Sequence, residues 1–140
     1  MNFSSINWLA VIACVFASMI IGSIWFSPKT FFPMWWKAIG KSESDDPKML
    51  PGGMTWILTI VASLVQAVFM SLMVTAMGSM TGGATLASGA TAGFVLWLGF
   101  VAPSSLTNKL FSAQFKAWAL EAGNHLVTFV VMGAILGAWR

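Results

Sequence analysis

Charge is what this sequence has least of. Its 140 residues include seven Lys or Arg and four Asp or Glu, a charged share of 8%, where soluble domains carry about 25%. Seven of those charges fall between Lys29 and Lys48. Only Lys109, Lys116, Glu121 and Arg140 remain for the rest of the chain. So few charges cannot cover a water-facing surface, which excludes a soluble globular domain. The single cysteine, Cys14, rules out an internal disulfide and any multi-cysteine metal site. The single histidine, His125, rules out bis-histidine haem ligation within one chain. It leaves Glu121–His125–Ser/Thr as the only formal catalytic combination. There is no GxGxxG, P-loop, CxxC or HExxH. No enzymatic activity, cofactor or metal is therefore expected. The net charge of +3 comes from basic residues flanking hydrophobic runs, not from a patch mixed with stacking aromatics, so nucleic acid is not an expected partner.

What is present is apolar. Hydrophobic residues make up 58% of the chain, and the mean hydropathy is +0.83. Four runs are long enough to cross a hydrocarbon core at about 1.5 Å per residue. They cover residues 6–26, 54–77, 84–102 and 117–138. The first has no basic residue before it and no clear small-residue cleavage site, so it reads as a retained helix, not a signal peptide. The third is expected to stop before Pro103. The pattern predicts one all-α integral membrane domain, a four-helix transmembrane bundle whose first partner is the lipid bilayer.

Between the first two runs lies the only sizeable loop, residues 29–53. Its stretch Phe31 to Gly40 combines aromatic residues with Lys37 and predicts a short amphipathic helix at the membrane interface. Trp25, Trp35, Trp36, Lys37 and Trp139 are its expected interfacial anchors. Glu43, Asp45 and Asp46 lack ligand spacing and read as a solvated excursion. The loops at 29–53 and 104–116 carry six lysines, and the opposite side has only Arg140. The positive-inside rule places both loops in the cytoplasm and both termini outside, in a bacterial inner membrane.

Small residues recur at helical spacing. Cys14, Ser18 and Gly22 form one stripe, and Ser63, Ala67, Ser71 and Thr75 another. Gly89/Gly93 and Gly133/Gly137 are GxxxG pairs. Such stripes let backbones approach where lipid removes the hydrophobic drive for helix association. They predict packing within the bundle, with faces left for self-association or for other membrane subunits. Gln66, Met70, Met73 and Met77 share a neighbouring face. Methionines so spaced read as adaptable packing, and no His or Cys cluster supports a copper site.

The last run carries the polar chemistry. Glu121, Asn124, His125 and Thr128 fall at i, i+3, i+4 and i+7, on one helix face. Glu121 lies about 6 Å and His125 about 12 Å inside that run, with Gln66 about 18 Å along the second. Together with Ser18 they predict a polar layer within the membrane. Ionisable groups there mark relays or substrate contacts, whereas a structural reading pairs Glu121 with Lys116 or His125.

Gly22-Ser-Ile-Trp25-Phe26-Ser27-Pro28, followed by Trp35-Trp36-Lys37, resembles an uncharacterised bacterial membrane family, domain of unknown function 1761. The likeness returns at Leu106-Thr107-Asn108, at Gly123-Asn124-His125-Leu126 and at Met132 to Trp139. Phe26 stands where that family usually has tyrosine. The resemblance implies a small four-span protein and brings no catalytic or binding residue. The expected function is transport or permeation of a small solute or ion through a homo-oligomer. An accessory subunit of a larger membrane complex is the alternative, and a membrane enzyme ranks last.

Overall fold

A computed structural model describes residues 2–140. The chain is all-helical and built on four helical spans long and apolar enough to cross a membrane; it is a multi-pass membrane protein. Helix α1 (Trp8–Trp25) starts where the Asn7 side chain accepts the Ala10 amide at 3.1 Å. It ends at Ser27-Pro28, where the Thr30 hydroxyl donates to the freed Trp25 carbonyl at 2.7 Å. That tight corner leads directly into the short helix α2 (Phe32–Ala38), whose first turn holds Pro33 and whose last holds Lys37. Proline is tolerated there because a first-turn amide has no helical partner. Lysine at the other end complements the helix dipole.

Gly52 and Gly53, both at positive φ (63° and 74°), turn the chain into α3 (Met54–Ser79). Helix α4 (Leu86–Leu96) opens with a capping box between Thr85 and Ser88. The third span does not stop at residue 102. A π turn over Trp97–Val101 joins α4 to α5 (Ala102–Phe111), giving one helical span of 26 residues, Leu86–Phe111. The Ala102 amide reaches back to the Trp97 carbonyl, five residues away. That widened turn places Pro103 in the first turn of α5, where its missing amide costs little. Most of the expected loop at 104–116 is therefore helix. A turn with Ala113 in the left-handed region (φ 56°) leads into α6 (Phe115–Ala138).

Helix α6 packs against α4, α1, α3, α5 and α2. Its C-terminal end meets the start of α1, where the Asn7 amide donates to the Trp139 carbonyl at 3.3 Å. It also meets the end of α3, where the Arg140 guanidinium donates to Thr75 Oγ1 at 2.7 Å. The bundle thus has an arginine end and a lysine end, and its burial is lopsided between them. Val11, Cys14, Val74, Met132 and Leu136 are fully buried, all toward the arginine end. Beyond Cys14, α1 buries no residue, and α3 buries none before Ser63.

The tightest contact is between α4 and α6, and glycine creates it. A Cβ on Gly89 would overlap the Gly133 carbonyl oxygen and stand 2.9 Å from Gly137 Cα. One on Gly93 would overlap the Phe129 carbonyl, and one on Gly137 the Thr85 carbonyl. The two GxxxG pairs meet each other within a single chain, so they are not free to drive association between chains. Gly22 behaves differently: nothing lies within 4 Å of its missing side chain. It does not pack a helix; it opens space.

Candidate functional site

That space is a half-open crevice of about 800 Å³ between α1, α3 and α6. Helix α1 gives it Ser18, Gly22 and Ser23, the corner after it gives Phe26, and α3 gives Trp56, Thr59, Ser63 and Gln66. Helix α6 forms the back wall with Asn124, His125 and Thr128. The first half of α3 stands away from the bundle: from Met54 to Ala62 every residue is exposed except half-buried Thr55. The crevice exists because glycine and serine line α1 where a larger side chain would fill it. His125 lies about 15 Å along α6 by helical rise, close to the middle of that 24-residue helix.

Hydrogen bonding sets this lining apart. Most hydroxyls elsewhere in helices donate back to their own backbone, as Thr75 does to Ser71 at 3.0 Å and Ser105 to Val101 at 2.8 Å. Ser18 and Thr59 in the crevice do the same. Among the described residues, the side chains of Ser23, Ser63, Gln66, Asn124, His125 and Thr128 make no hydrogen bond at all. Two of their atoms, Asn124 Oδ1 and His125 Nδ1, are buried and unpaired. An unpaired buried polar group costs about 1–3 kcal/mol, and native proteins rarely leave two side by side.

Glu121 is not part of this lining. Its carboxylate accepts the Trp35 indole N–H at 2.8 Å and the Lys109 ammonium at 3.2 Å, with the Lys109 and Glu121 side chains about one-fifth exposed. Lys109, not Lys116, is its partner, and Lys109 also reaches Gln114 Oε1 at 3.4 Å. The carboxylate thereby ties α2 and α5 to α6. The neighbouring backbone is gripped in the same way. Trp25 donates to the Leu120 carbonyl and Trp97 to the Ala122 carbonyl, each at 2.9 Å. Three indoles from three parts of the chain thus converge on Leu120, Glu121 and Ala122.

The expected polar stripe therefore divides. Gln66, Asn124, His125 and Thr128 come together in the crevice, and Glu121 goes to a structural node. Trp25 and Trp35 point their N–H groups into the protein, Trp36 donates to the Ser42 carbonyl at 2.8 Å, and Trp139 is about half exposed. Lys37 is exposed. Sequence reasoning passed over Ser23, Trp56 and Trp97, and nothing in their spacing marks them. Met70 sits in the core at 2% exposure. No group of three His, Cys, Asp or Glu that could hold a metal occurs among the described residues. In the polar loop, Asp45 accepts the Ser42 amide at 2.7 Å and the Ser42 hydroxyl at 3.1 Å. Those bonds, the amide first, hold its carboxyl below the ordinary range, so this acid closes a turn.

A family model described as a protein of unknown function (DUF1761) matches residues 9–137. The chain belongs to the DUF1761 family. That match covers the crevice, the glycine contact and the Glu121 node alike. No curated protein and no solved structure matches the chain. DUF1761 membership thus agrees with the resemblance read from Trp25-Phe26-Ser27-Pro28 and Gly123-Asn124-His125, and it assigns no activity.

Proposed function

We propose that this protein moves a small polar solute across a bacterial plasma membrane, with the crevice as its binding site. The observation that carries this reading is the set of unpaired polar side chains near mid-helix, where lipid offers no hydrogen-bond partner. Asn124, His125, Gln66 and Thr128 serve as contacts. Glu121 acts as a positioning residue that holds the lysine end together. Toward the arginine end the packed core from Phe129 to Leu136 closes the crevice, so passage requires the exposed half of α3 to shift. A homo-oligomer would cover the crevice's open side with a second copy, and an accessory role would cover it with another subunit. Six lysines at one end support an orientation with that end in the cytoplasm and both termini outside.

Reconstitution into liposomes tests the reading. Solute entry should exceed that of protein-free vesicles and fall in Asn124→Leu and His125→Leu while helicity and monodispersity hold. Entry no faster than in empty vesicles, for every solute tried, overturns it. Native mass spectrometry from the source membrane separates the two coverings: copies of this chain alone favour transport, and a fixed stoichiometry of other subunits favours the accessory role.

A further inference from the structure

If the crevice is the solute's path, as proposed above, its lining also restricts the solute's chemistry. We infer that it takes an uncharged solute bearing hydroxyl or amide groups, such as a small polyol or carboxamide, and not an ion. None of the lining residues is Asp, Glu, Lys or Arg. The nearest carboxylate, Glu121, is turned to Lys109 and Trp35. A cation entering this space would shed water without meeting a carboxylate, and an anion would meet no Lys or Arg, the least favourable exchange available in a low-dielectric medium. What the lining offers is neutral and two-sided. The amides of Gln66 and Asn124 donate and accept, as do the hydroxyls of Ser23, Ser63 and Thr128. Asn124 and His125 line the crevice while their unpaired atoms Oδ1 and Nδ1 are buried behind its surface, so these two side chains turn to accept a ligand O–H or N–H. Trp56 and Phe26 add aromatic faces against which the C–H side of such a molecule packs. A lipid tail in the same space would leave all these groups unpaired.

The test compares entry of glycerol, urea and acetamide with entry of potassium, ammonium and formate, using the full chain in liposomes and stopped-flow light scattering. A second readout titrates acetamide against tryptophan fluorescence, with Trp56→Phe to assign the signal. The expected result is several-fold faster entry of at least one neutral solute, no acceleration of the ions, and loss of the gain in Asn124→Leu. Should Asn124→Leu fail to fold, Ser63→Ala takes its place. Accelerated entry of ions alone would overturn the solute class and leave transport standing. No accelerated entry of any solute would overturn transport; saturable, Trp56-dependent quenching would then still support a neutral ligand. Absence of both signals removes the inference altogether.

Discussion

Between Phe129 and Ala138, α6 presents bare backbone to α4 and apolar side chains to α1 and α3. Between Phe115 and Val127 the same helix presents an amide, an imidazole and a carboxylate. In the first half, glycine removes side chains so that carbonyl and Cα surfaces meet directly, and dispersion between backbones supplies the cohesion. Opposite the second half, Gly22 of α1 lacks a side chain and nothing fills the gap. The same residue type thus seals one end and opens the other. What decides between them is whether another helix's backbone lies against the glycine. Gly89 faces Gly133; Gly22 faces the crevice that Asn124 and His125 line.

Three substitutions bring out this contrast. The largest effect is expected at the sealed half. Gly133→Leu drives a side chain into the Gly89 carbonyl, backbone that cannot yield. It should cost about 4–5 kcal/mol or more, read as failure to accumulate in the membrane or collapse of thermal stability. Normal stability would mean that α4 and α6 are not in glycine contact. Next is the node at the lysine end. Trp35→Phe keeps an aromatic ring, smaller by the pyrrole, and removes one hydrogen bond to a charged acceptor, for a loss of about 1–3 kcal/mol. Faster amide exchange in α2 should accompany it, and unchanged exchange would show that Glu121 does not hold α2. The smallest effect belongs to the crevice. Asn124→Leu replaces an unpaired polar group with an apolar one of similar size. Stability should stay within about 1 kcal/mol of the parent or rise. A marked loss in thermal unfolding would show that Asn124 has a structural partner after all.

The helices were legible because nothing else accounts for four long apolar runs in so lightly charged a chain. The polar gathering was legible in part. Period 3.6 put Asn124, His125 and Thr128 on one face, and depth alone brought Gln66 and Ser18 to the same layer. Glu121 shares that face by spacing, yet a face of about 100° is wide enough for its edge to turn elsewhere. What turned it is an ion pair with Lys109, on a different helix, which no local pattern announces. The glycine pairs announced close approach without saying to what, since GxxxG reads alike for a neighbour in the same chain or in another. Pro103 misled for a definite reason. Proline forbids a regular α-helical hydrogen bond, but one wider turn at Trp97–Val101 absorbs the omission, and the span runs on to Phe111.

Carbonyls seated in glycine notches also set the bundle's mechanics. Sliding α6 along α4 by one residue would bring a side chain against backbone that leaves no room for it. These two helices therefore behave as a single plate with no freedom to translate. Any motion that widens or narrows the crevice belongs chiefly to α3, whose half at the lysine end is exposed, because Trp25 ties that end of α1 to the Leu120 carbonyl of α6. The molecule has a fixed jaw and a movable one, and the hydrogen-bonding groups of α6 stand on the fixed side.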